Sequence, residues 1–158
     1  MARFTVEGAR PGKAGTTVKD LGQAADGALQ AAGERLAEYF RGAIIENKLV
    51  DTHALLESIK PTAVKVSAKD GRYLDVYPQG VRENGERNAA VGYYQEYGVT
   101  RVPPRRSISA THWMSNTVDD VAEEIQAIIA NGVAEAVEST AWDATIAAIK
   151  EIMKILGG

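Results

Sequence analysis

Apolar positions recur along this chain with two periods, and the changes between them mark out its elements. From about Val18 the spacing is helical. Leu21, Ala25, Ala28, Ala32, Leu36, Phe40 and Ala43 fall three or four residues apart and form one stripe. Gly22, Gly27 and Gly33 lie within it; each weakens a helix by about 1 kcal/mol relative to Ala, or lets a neighbouring backbone come close. Asp51 or Thr52 is placed to cap a short second helix that turns Leu55, Leu56 and Ile59 inward and stops at Pro61. The period then falls to two. Val64 and Val66, followed across the turn Lys69-Asp70-Gly71 by Leu74 and Val76, predict a β-hairpin over 62–78.

Residues 79–88 read as a polar loop with two glycines, Gly80 and Gly85. Ala89 to Tyr97 fits either period, and the content of Tyr93, Tyr94 and Tyr97 favours a strand that extends the hairpin into a small antiparallel sheet. Alternation then places Tyr93 and Tyr97 on one face and Tyr94 on the other. Gly98 ends the run. Helical spacing returns with Met114, Val118, Val121, Ile125 and Ile128, and again with Trp142, Ile146, Ile149, Met153 and Leu156. Asn131-Gly132 is a candidate break between two helices. A single helix there would need a partner along its side. The expected fold is α+β: a small antiparallel β-sheet packed with a long N-terminal helix and C-terminal helices. Residues 1–17, rich in Gly, Arg and Lys, read as a flexible arm, 18–158 as one domain, and 132–158 as a helical extension of it.

Composition narrows the chemistry. A chain of 158 residues with 45% apolar and 25% charged residues suits one globular domain. A net charge of −3 argues against a dedicated nucleic-acid binder. Without cysteine there is neither disulfide nor thiolate chemistry. No apolar run is long enough to span a bilayer, and the first residues do not resemble a signal peptide, so a cytoplasmic origin without a membrane partner is expected.

Gly8-Ala-Arg-Pro-Gly-Lys13 is too short for a phosphate-binding loop and has Ala14 where a metal-holding hydroxyl belongs. His53 and His112 stand apart, without a second ligand at helical spacing, and read as solvent-facing or capping residues. Asp119, Asp120, Glu123 and Glu124 suit the first turns of a helix, where the dipole stabilises solvated acids. No serine stands in a nucleophile elbow. The expectation is therefore no catalytic residue, no cofactor and no metal. Arg101, Arg105 and Arg106 around Pro103-Pro104 form an extended basic loop. The negative net charge favours a protein interface there, with weak phosphate contact as the second reading.

The ordered set of motifs resembles a phage family, the HK97-type minor tail-component or tail-completion proteins. A long helix leads to Thr52-His-Ala-Leu55-Leu-Glu-Ser58-Ile59, a hairpin follows, and then comes the aromatic run Tyr94-Gln-Glu96-Tyr97-Gly98. A loop with Pro103-Pro-Arg-Arg106 and a terminal helix complete the order. Two departures affect the loop: Val99 separates Gly98 from Thr100, and Ser107-Ile108 replaces the family's Pro-Phe. The resemblance implies a structural virion component of the neck or tail end, assembled in the host cytoplasm, that helps join head to tail. It implies a homo-oligomeric ring, commonly hexameric, around the DNA passage, touching the head connector, tail proteins and, non-specifically, packaged DNA. A protein- or DNA-binding adaptor outside a virion is the alternative.

A ring is built from heterologous contacts. Tyr93, Tyr94, Glu96, Tyr97, Gly98, Arg101, Pro103, Pro104, Arg105 and Arg106 are the expected contact residues. The unpaired sheet edge around 72–78 and 90–97 is one expected patch, and the 99–108 loop, reaching to a neighbour or to the adjoining ring, is the other.

Overall fold

A computed structural model describes residues 2–6, 17–49, 53–67, 71–101 and 106–156. In chain order the elements are β1 (Ala2–Val6), α1 (Thr17–Glu46), α2 (His53–Ser58), β2 (Ile59–Pro61), β3 (Lys65–Ser67), β4 (Gly71–Pro78), α3 (Asn88–Tyr97) and α4 (Trp113–Leu156). The class is α+β, with helices packed against a small antiparallel sheet.

β4 is the middle of that sheet. β1 runs antiparallel along one edge, from Ala2 opposite Val76 to Val6 opposite Arg72. β2 pairs Ile59 with Pro78, and β3 pairs Lys65 with Tyr73. Because Tyr73 and Arg72 already pair with β1, β2 and β3 follow one another along the opposite edge. Between them Thr62 N donates to Asp75 O at 2.9 Å, and Asp75 N donates to Thr62 Oγ1 at 3.1 Å, so a side chain replaces a strand carbonyl.

Two expectations change here. Ala2–Val6 was expected in a flexible arm and instead is a strand; residues 7–16 lie outside the described residues. The edges of 72–78 were expected to be free for another chain and are occupied by β1, β2 and β3.

The hairpin forms over Lys65–Pro78. Val64 packs against the core, whereas Val66, opposite Arg72, is 72% exposed. Alternation set the face correctly, but not the cover. The short helix ends at Ser58, before Pro61, and Ile59 is buried as the first residue of β2 rather than within the helix. Its expected caps, Asp51 and Thr52, lie outside the described residues.

The core lies between the sheet, α1 and α4. The expected stripe of α1 is buried at Ala25, Ala28, Ala32, Leu36 and Phe40, joined by Leu29 and Ile44. Leu74 and Val76 of β4 and Trp113, Met114 and Ile125 of α4 complete it. Burial of each such large side chain stabilises by about 1.5–3 kcal/mol. Gly33 lets β4 approach α1: a Cβ there would lie 2.8 Å from a Leu74 methyl and 3.0 Å from Pro61 Cβ. Arg72 Nη1 donates to both carboxylate oxygens of Asp26, at 2.6 and 2.7 Å, tying the sheet to α1.

α4 is one helix of 44 residues and does not break at Asn131-Gly132. It runs antiparallel to α1, since Phe40 meets Trp113, Arg35 meets Glu124 and Ala28 meets Gly132. A Cβ on Gly132 would come within 2.8 Å of Ala28 Cβ. That glycine therefore serves close helix packing rather than termination. The stripe from Trp142 to Leu156 lies outside the described side chains. No described helix is long and apolar enough to cross a membrane.

Residues 88–97, expected as a strand, form α3. Asn88, Gly92 and Glu96 are its buried positions, four apart, which is helical spacing. Gly92 lies against Pro78, where a Cβ would stand 2.9 Å from Pro78 Cγ. Both edges of β4 are filled without this segment, so packing overrides the β preference of its tyrosines.

Candidate functional site

The residues expected at the contact surface cluster where α3 ends and α4 begins. Glu96, in the last turn of α3, is 1% exposed. Its Oε2 accepts from Met114 N at 2.7 Å, and its Oε1 accepts from Ser115 N at 3.1 Å and from Ser115 Oγ. The first N–H groups of a helix have no partner inside it, and a carboxylate satisfies them while facing the positive end of the helix dipole. Glu96 thus caps α4 from another element.

The reverse junction is also made. Thr111 N and Thr111 Oγ1 donate to Gln95 O, at 2.9 and 2.7 Å, and His112 N donates to Glu96 O at 3.1 Å. Carbonyls at the end of α3 and amides just before α4 thus satisfy one another through four residues, Gln95, Glu96, Thr111 and His112. Glu96 is consequently an internal support and not a contact residue, a correction to the sequence expectation.

Gly98 fixes the return of the chain. With φ 73° and ψ 169°, its missing Cβ would meet Ala110 N and Ile108 O, both at 2.8 Å. Val99 and Ile108 pair through Val99 N to Ile108 O at 2.8 Å and Ile108 N to Val99 O at 2.9 Å. These two bonds close the basic loop at its base. Arg101 N donates to Ser107 Oγ at 3.1 Å just inside that base. Val99, a departure from the family motif, supplies half of the closing pair, and Ile108, another, supplies the rest. Pro103, Pro104 and Arg105 lie outside the described residues.

The tyrosines sit on this frame. Tyr93 and Tyr97 are 56% and 53% exposed, with ring centroids 4.7 Å apart. They share a face as expected, although the cause is the i, i+4 spacing of a helix. His112, exposed and at φ 51°, stands 6.3 Å from the Tyr97 ring. Tyr94 is half-buried and lies under the Arg101 guanidinium, 5.5 Å from ring centre to Cζ. Such contacts contribute about 0.5–1 kcal/mol at exposed sites. Arg106 is exposed.

The structure therefore brings Tyr93 and Tyr97 together and sets Arg101 over Tyr94, with Arg106 exposed next to the Ser107 that accepts from Arg101 N; these residues form the aromatic and basic shoulder. Asn88, which the sequence reading did not single out, anchors the preceding loop: its Nδ2 donates to Gln79 O at 2.9 Å, and its Oδ1 accepts from Arg82 Nε at 3.0 Å. A buried asparagine after a polar loop leaves no sequence signal that separates it from a surface one. His53 is exposed, as expected.

A second polar group joins α1 to α4. Glu124 accepts from Tyr39 Oη at 2.6 Å and from Arg35 Nε at 3.0 Å, and Arg35 also reaches Glu38 at 3.0 Å. The Tyr39 hydroxyl, followed by Arg35, holds the Glu124 carboxyl below the usual range. Glu124 in turn raises the Tyr39 phenol. Asp119, Asp120 and Glu123 are exposed, matching their reading as solvated acids.

No family model, curated protein or solved structure matches this chain.

Proposed function

We propose that the chain is a structural component of a bacteriophage neck or tail end, acting in tail completion or head–tail joining as a homo-oligomeric ring around the DNA passage. The observation that carries this reading is the exposed Tyr93–Tyr97 pair, with Arg101 over the neighbouring Tyr94, mounted on a junction fixed by Glu96 and Gly98. Tyr and Arg are enriched at protein interfaces, and rings already packed against each other lose little further freedom on binding. The order of motifs in the sequence supplies the phage context. In this reading Glu96 and Gly98 support the surface, and the tyrosines and arginines touch the neighbour. The work is mechanical, with the virion as its place and the head connector and tail proteins as further partners. Packaged DNA is met without sequence preference.

Sedimentation velocity and light scattering of the purified full chain test it. A closed assembly is expected, as a hexamer at about six times the 16.9 kDa chain mass. Replacing Arg105 and Arg106 with Ala is expected to disrupt assembly more than it changes DNA retention. A chain that stays monomeric even with head-connector and tail proteins would refute the ring. Normal rings in the double variant, with DNA leaking from heads, would assign the arginines to DNA.

A further inference from the structure

The fold leaves the outer face of α4 open. Asp120, Glu123, Ala127, Ala130, Ala134 and Glu138 are all exposed and follow at three- or four-residue steps, opposite the buried Ile125 side. They form a stripe about 27 Å long at 1.5 Å per residue. Neither Lys nor Arg occurs between Arg106 and Lys150, so α4 carries no basic residue from Trp113 to Ile149, the span that holds these carboxylates. Asp120 and Glu123 make no ion pair with the described residues, whereas Glu124 beside them is engaged by Arg35. The alanines leave a flat apolar shelf among acids.

The surface at the end of α3 has the complementary character: two exposed rings, Tyr93 and Tyr97, and in the loop that follows the exposed Arg106, next to the Ser107 that bonds Arg101 over Tyr94. We infer that the Tyr93–Tyr97–Arg106 shoulder of one copy seats on the outer face of α4 in the next copy of the same chain. This rests on the ring reading above and names the two faces that meet. The rings cover Ala127 and Ala130, and the Arg106 guanidinium reaches Asp120 and Glu123. Two different patches meet, which is the kind of contact that closes a ring. Opposite charge guides the approach, and repulsion between two acidic α4 faces disfavours the competing symmetric dimer.

Charge reversal tests the pairing in the full-length protein, with circular dichroism to confirm that each variant keeps its helix content. In sedimentation velocity across a concentration series, R106E and D120K/E123K are each expected to raise the concentration for half-assembly about tenfold or more. Combining all three substitutions in one chain restores opposite charges at every contact, and is expected to return assembly to within about threefold of wild type. If wild type assembles and neither reversal weakens it, this contact is wrong while the ring reading stands. If both reversals weaken assembly but the combination does not recover, the pairing of these two faces is overturned. A wild-type chain that never assembles removes both readings. Loss of binding to a labelled DNA duplex by R106E, with assembly intact, would place the shoulder against DNA instead.

Discussion

Glu96 shows how one side chain can define a junction. Its carboxylate is buried, yet each oxygen accepts from the first turn of α4, so the cost of desolvation is offset where the helix most needs an acceptor. Glu96→Ala leaves the Met114 and Ser115 amides without that acceptor. We expect a loss of about 1–3 kcal/mol in urea unfolding. Glu96→Gln keeps one acceptor oxygen and is expected to lose less. Equal midpoints for Glu96→Ala and wild type would remove the capping role. The motif Glu-x-Gly was visible in the sequence, but its division of labour was not. Gly98 permits a close passage of Ile108–Ala110, and Glu96 grips a helix 17 residues further on.

At the scale of elements, α1 and α4 depend on one tight crossing and one polar bridge. Gly132 faces Ala28 with no room for a side chain. Gly132→Leu is expected to force the helices apart and cost about 1–3 kcal/mol or more in stability, despite the better helix propensity of Leu. A stabilised variant in thermal unfolding would contradict the close contact.

The Tyr39–Glu124–Arg35 bridge predicts a pH dependence. The folded state lowers the Glu124 pKa below its ordinary 4.5, so the contribution is complete above that value and is lost as pH falls through the lower folded pKa. The gap in thermal midpoint between wild type and Glu124→Gln is therefore expected to be constant at neutral pH and to close in acid. A gap unchanged into strong acid would show that the carboxylate charge does not matter. The groups are exposed, so added salt shrinks the effect.

For the molecule as a whole, the first residues complete the sheet. β1 covers the edge of β4 that would otherwise present unpaired backbone groups. Deleting residues 1–6 is expected to speed amide hydrogen exchange in β4 by about tenfold or more while leaving the α1–α4 pair protected. Unaltered exchange in β4 would show that β1 adds nothing to the sheet. Loss of protection across both regions would instead mean that the sheet and the helix pair unfold as one unit.

The sequence by itself determined what period and composition can carry. The apolar stripe of α1, the faces of Leu74 and Val76, the polar loop before Asn88 and the α+β class all follow from residues whose neighbours along the chain set their environment. Tertiary structure decided what depends on distant partners. Tyr93 and Tyr97 would share a face in either a strand or a helix, and the choice fell to helix because β1 took the free edge of β4 and Gly92 packed on Pro78. Gly132 looked like a stop because glycine is the usual C-cap, but the space it leaves belongs to Ala28, more than a hundred residues away. Local preferences differ by about 1 kcal/mol, and burial against a partner outweighs them.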